Sequence, residues 1–488
     1  MIDPGVANAS KVIVTSRPAL KAKYGTVAMR KVSAALRSLV AADKRRGITT
    51  KVVSIAPPPD AATVKARIDA LCATSTPDYI MLLGASDVIS QCVLDNPLWT
   101  GDPDDDPDLV VPSDLPYACT APLSRSIAHF RGPTRVVGRL PDLVGASDPA
   151  HLIALLETAR TWTARAMPRP LGVLAVSTLT WRNSTQTSIA SLAGAAGEVF
   201  TTPTAGPGWT HAQIANPLMF VNCHGDQLDP RWYGEKFRNQ ATLPVAVESA
   251  RLGPAGPTGI VVASECCYAT MHWNPNVAGG QVSVAHMLLS LGAIGVFGPS
   301  TTSFGPSVGN ANADVISRLF LETVVGGGSV GRAALTARQR FVADATTLDP
   351  TDAKTLAQFD LWGDPSAQPI AAVIALPRAT RGHAAAPPDR PPPGLAQRRA
   401  ALEAIGRALE TAVGATGDAP RARAGITRRR FSDVTGVDAS QATIRTFDVP
   451  GGNDRYHVAF VGGRRRELVV VRSEPGQPPE VRRLERKR

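Results

Sequence analysis

The chain has 488 residues, 44% of them hydrophobic and 19% charged, and no run of 18 or more apolar residues, so a membrane-spanning helix is excluded and two or more domains are expected. Its net charge of +11 is lopsided, because from Arg378 onward 22 Lys and Arg face 12 Asp and Glu. A basic tail of that kind suits nucleic acid or an acidic partner, but no nucleic-acid motif and few aromatics accompany it, which argues against nucleic acid.

Short apolar strands alternate with amphipathic helices from the start. Strands are predicted over 11–16, 50–55, 79–85 and 134–142, and helices over 27–47, near 61–73 and over 148–165. Lys44, Arg45, Arg46 and Gly47 mark the end of the first helix. A second run has strands at 171–177, 198–202, 218–223, 259–264, 293–299 and 371–377. Its helices are expected over 185–195, near 209–216, around 280–291, over 309–324 and near 331–343. This rhythm implies an α/β fold, a mostly parallel sheet flanked by helices and built from two αβ subdomains, 1–165 and 166–377. Residues 378–396, "RATRGHAAAPPDRPPPGLA", read as a Pro/Ala-rich linker. Beyond it a basic α+β module over 397–488 is expected, with a helix at 397–413 and three or four strands, among them 442–449, 455–462 and 467–473.

Six cysteines are sparse for this length, and two of them are neighbours, so no disulfide framework is expected. The N-terminal stretch "MIDPGVANASKVIVTSRP" has no secretory pattern, and a reducing, cytoplasmic setting is expected.

The chemistry concentrates at the ends of two apolar strands. "IVVASECCYAT" (260–270) is a buried-strand run that stops at Cys266 and Cys267, and "LMFVNC" (218–223) stops at His224-Gly225-Asp226. Parallel neighbours ending at one sheet edge bring His224 to a cysteine, and that edge is where open α/β sheets place their sites. A cysteine needs such a base, because the thiolate is the nucleophile. Gly225 allows a backbone N–H to approach a substrate carbonyl and share an oxyanion hole with the N–H of the cysteine. Taken alone, a cysteine pair reads as small core hydrophobes. Only one of the two should face His224, since side chains alternate, and by the same alternation Cys223 points into the core. A zinc site from Cys223, His224, Cys266 and Cys267 is disfavoured, since adjacent ligands suit tetrahedral geometry poorly.

Strand-His-Gly followed by strand-Cys-Cys resembles the caspase-like clan of cysteine peptidases, and over about 1–370 the chain most resembles the gingipain family. The supporting segments are "PDYIMLLGASD" (77–87), "PSDLPYA" (112–118), "VVGRLPD" (136–142) and "FDLWGDPS" (359–366). The resemblance implies a cysteine endopeptidase with Cys267 as nucleophile, Cys266 in the place of a small residue, His224 as base and Gly225 at the oxyanion. It also implies that Asp114 orients the histidine. Substrates would be proteins or peptides, and no cofactor or metal is required. The acidic stretch usual between the Asp-Leu and Gly-Arg motifs is here "CTAPLSRSIAHFRGP" (119–133), without a carboxylate, so no strong selection for Arg or Lys is expected. The alternative is a catalytically silent scaffold whose basic module binds a protein partner. On a peptidase, such a module could cover the active-site edge or dock a substrate or partner.

Overall fold

The computed structural model describes residues 8–374 and 426–486, apart from short segments at 58, 169–170, 194–198, 203–215, 238–239, 253–258, 307–308, 346–347, 441, 449–453, 463–466 and 475–476. The linker, the helix expected over 397–413 and most of the helix near 209–216 lie outside the described residues.

Ten strands form one sheet. In chain order they are β1 (Ser10–Thr15), β2 (Thr49–Ser54), β3 (Tyr79–Leu83), β4 (Val137–Leu140), β5 (Val173–Ser177), β6 (Val199–Thr201), β7 (Leu218–Asn222), β8 (Val261–Ser264), β9 (Gly295–Pro299) and β10 (Phe359–Gly363). Their spatial order is β2-β1-β3-β4-β10-β9-β8-β7-β5-β6. Every pairing is parallel except β9 with β10. The two αβ halves are therefore two parallel half-sheets of opposite direction, joined by β10. The boundary drawn at 165/166 falls inside a short strand, Arg165–Pro168, which pairs with Ile370–Ile374 at the far end of the second half.

The helices are α1 (Arg17–Arg45), α2 (Ala61–Ser75), α3 (Ala150–Thr161), α4 (Arg182–Ala193), α5 (Val284–Ser290), α6 (Ala313–Val325), α7 (Val330–Asp344), α8 (Pro350–Gln358) and α9 (Arg428–Thr435). The first starts earlier than its apolar periodicity suggests. Ser16 caps it by accepting from the Ala19 N–H, and Gly25, at φ +77°, breaks it before the predicted stretch begins.

Both faces of the sheet are covered, which is why its strands read as unbroken apolar runs. In β8, Val262 joins the core layer of Met219, Val221 and Val296, while Val261 and Ala263 join the opposite layer of Phe220 and Phe297.

The C-terminal part folds as α9 followed by four antiparallel strands, β11 (Ile444–Asp448), β12 (Arg455–Val461), β13 (Glu467–Ser473) and β14 (Glu480–Arg486). The module's sheet continues into the body, because β14 pairs antiparallel with Phe304–Gly305, just after β9. Leu98 and Phe304 of the body share an apolar cluster with Phe447, Phe460, Leu468 and Leu484 of the module.

Candidate active site

β7 and β8 are parallel neighbours in register Val221↔Ser264, and the Glu265 N–H donates to the Val221 carbonyl at 2.8 Å. Their C-terminal ends lie side by side. Past β7 the chain turns into a two-residue bridge, His224–Gly225, which pairs antiparallel with Trp232–Tyr233. That bridge runs against the backbone of Cys267. A β-carbon built on Gly225 would lie 1.9 Å from the Cys267 carbonyl oxygen and 3.0 Å from its nitrogen, so only glycine fits.

The two adjacent thiols part company. Cys266 shares the core layer of Cys223 and Val262, and burial and the neighbouring Cys223 thiol push its pKa well up. The Cys267 sulfur instead accepts from the Ser303 N–H at 3.1 Å. Burial pushes the Cys267 thiol up to about 12, against the opposing pull of the Ser303 N–H, Arg486 and Lys354. Tyr268, next in the chain, sits at φ +60°, a left-handed conformation uncommon outside glycine. It is held there from its far end, where its hydroxyl donates to Asp108 Oδ1 at 2.9 Å.

Asp108 also fixes the loop behind the thiol. Its Oδ2 accepts from the Thr302 N–H at 2.7 Å, one residue before Ser303, and lies 3.2 Å from Lys354 Nζ. Burial raises the pKa of Asp108, but Lys354, the Thr302 N–H and Tyr268 outweigh it and hold the carboxyl below its usual range. Lys354 pairs at the same time with Asp106 at 2.5 Å. This buried group of two aspartates and a lysine is absent from the residues singled out by sequence. Its signals, the acidic run at 101–108 and a lysine in α8, lie far apart in the chain.

His224 is 1% exposed and its Nε2 lies 3.2 Å from Glu235 Oε2. The Trp181 ring packs on the imidazole, with centroids 4.5 Å apart. Asp114, which the resemblance implied as the orienting group, is engaged elsewhere. Both its oxygens accept from Arg139, at 2.7 and 2.6 Å, and its N–H donates to Asp360. The Asp-Leu segment and the Gly-Arg-Leu-Pro segment thus meet each other in a buried ion pair, and the carboxylate that meets the histidine is Glu235. Nothing in "RWYGEK" marks Glu235 by sequence. It reaches His224 through the small antiparallel sheet of 224–225, 232–233 and 245–247. Asp106 and Asp108, upstream of 119–133, stand behind the site, where Lys354 already pairs with both.

Among the described residues no cluster of three or more His, Cys, Asp or Glu is arranged to hold a metal ion. No described helix is long and apolar enough to cross a membrane.

Residues 246–370, which include both cysteines, match the family model for Peptidase family C25, a family of cysteine peptidases in the caspase-like clan. The chain thus carries a cysteine-peptidase segment, of the hydrolase class. No curated protein matches it in sequence. A solved structure described as a protease is similar at 13% identity and a TM-score of 0.48, over 98% of this chain and 97% of that one. The Saccharomyces cerevisiae separase–securin complex is similar at 9% identity and a TM-score of 0.31, over 48% of this chain and 14% of that one.

Proposed function

We propose that the chain cleaves protein or peptide substrates with Cys267 as nucleophile, His224 as base and Glu235 as the carboxylate that orients the histidine. His224 takes the Sγ proton, and the thiolate attacks the peptide carbonyl carbon. In this reading the backbone N–H groups of Gly225 and Cys267 donate to the oxyanion. His224 then returns the proton to the leaving amine, the C–N bond breaks, and an acyl-enzyme thioester remains. Water attacks the thioester, giving its proton to His224, and the thiolate leaves and is reprotonated. A reducing, cytoplasmic setting belongs to the same proposal, since the reaction needs an unoxidised thiol.

The observation that carries this reading is the contact of Gly225 with the Cys267 backbone, which joins the His-Gly bridge to one cysteine of the pair. The test compares two alanine variants. Cys267→Ala should abolish both peptide turnover and labelling by an acyloxymethyl-ketone probe. Cys266→Ala should keep most of both while losing about 1–2 kcal/mol of packing stability. Equal loss from both, with folding unchanged, would refute the assignment.

A further inference from the structure

The thiol and the histidine are each 1% exposed, so no substrate reaches them in this arrangement. The last described strand, β14, lies against the loop that holds the thiol. β14 pairs with the body in the register Phe304↔Arg486 and Gly305↔Glu485. Phe304 directly follows Ser303, whose N–H holds the Cys267 sulfur. The strand therefore runs toward the thiol along the polypeptide edge beside it. Glu485 accepts from the Trp181 indole N–H at 3.3 Å, and Trp181 is the ring packed at a tilt against His224. Arg486 donates to the carbonyls of Asp104 and Asp105 at 3.4 and 3.2 Å, and its charge is felt at the Cys267 sulfur.

We propose that β14 is an inhibitory strand, lying where the backbone of a substrate would pair beside Cys267, so that the module must leave before the thiol can act. This rests on the peptidase reading above. An extended peptide binds a sheet edge through main-chain hydrogen bonds, and here the edge nearest the nucleophile is already taken. The basic surplus of the C-terminal part also finds acidic and carbonyl partners within the chain. Arg482 pairs with Asp349 and Asp352, and Arg445 donates to the carbonyls of Pro97 and Trp99. The seam is not fully packed, for a cavity of about 420 Å³ lies between Arg472, Glu480 and Arg482 of the module and Asn312, Asp349 and Asp352 of the body.

The experiment uses the full chain in two variants. Arg486→Pro blocks strand pairing at the Phe304 edge, and Arg482→Ala removes the ion pairs to Asp349 and Asp352. Hydrogen exchange over 480–486 reports whether the strand has left. Iodoacetamide alkylation mapped to Cys267 reports access, and hydrolysis of a small peptide amide reports catalysis. In either variant that frees the strand, alkylation and hydrolysis should both rise about tenfold or more, as the open fraction grows. A synthetic peptide of residues 480–486 should lower both again. If 480–486 exchanges freely and neither alkylation nor hydrolysis changes, the inhibitory strand is refuted. If alkylation rises with no hydrolysis, the covering strand stands and the peptidase reading falls. If small-peptide hydrolysis is unchanged but cleavage of a protein substrate is lost, the module docks substrates and the inhibitory role is overturned.

Discussion

Glu235, 2% exposed, meets His224 at the ring nitrogen Nε2 from the loop just after the strand Trp232–Tyr233. A carboxylate so placed stabilises the imidazolium as well as the ring orientation. Glu235→Gln keeps the shape and loses the charge. It should lower kcat/KM by roughly a hundredfold, and the acid limb of the pH–rate profile should move to lower pH, because the imidazolium loses its counter-charge. A profile that scales down without moving would leave Glu235 a purely structural residue. At this scale the local pattern points to the cysteine pair, His224 and Gly225, which sit where apolar runs break into polar or small residues, while the choice of Cys267 over Cys266 comes from the family resemblance. Glu235 and the Asp106–Asp108–Lys354 group were not legible, because each acts across a chain separation that no local pattern records. Asp114 was assigned through a motif resemblance, and its neighbour in space, Arg139, belongs to another motif of the same resemblance.

Among the elements, α6 carries a carboxyl that is uncomfortable at neutral pH. Asp314 is fully buried, accepts from Ser184 at 2.5 Å, and is pushed up to about 7 by burial, from an ordinary value of 3.8. The folded protein therefore holds this proton more tightly than the unfolded chain. Its contribution is fully present below the unfolded value and is lost as pH rises through about 7. Asp314→Asn should stabilise the protein at pH 8 by an amount on the order of 2–4 kcal/mol and do little at pH 4, as read from urea melts at both values. The strands legible in sequence are the apolar, β-branched runs, the half-exposed edge strand β2 among them. β10, "FDLWG", was not, because it places Asp360 in the core, where Gln91, Arg338 and the Asp114 N–H meet the carboxylate. β14, "EVRRLER", escaped for the opposite reason, since Leu484 is its one fully buried residue and most of the rest is charged. α8 spans only nine residues, too few to show a clear helical period in sequence, although Asp349 and Asp352 form a reciprocal cap at its start.

Across the whole molecule, Lys11 ties the two half-sheets together. Its ammonium, on β1, lies 2.6 Å from Asp43 at the end of α1 and 2.7 Å from Asp364 just past β10, and all three side chains are buried. Lys11→Met would leave two buried carboxylates facing each other with only Arg46, 3.3 Å from Asp43, as a cation, and it should cost about 3–5 kcal/mol. Because the three groups span both halves, the body's denaturant unfolding should remain one transition at a lower midpoint. Two separate transitions would mean that the halves are independent. Sequence rhythm alone suggested two subdomains, since the chain does run through one half and then the other. The late return of β10 to the centre is a long-range event, and periodicity does not encode it. That return has a kinetic consequence. β4 and β9 do not pair directly, and each is an open edge until β10, paired through Trp362 to Arg139 on one side and to Gly295–Pro299 on the other, closes the gap. The sheet's central pairing is thus among its least local, formed only after a long loop has been closed. Refolding should accordingly be slow, with two apolar strand edges exposed during it, each able to recruit the wrong chain at high protein concentration.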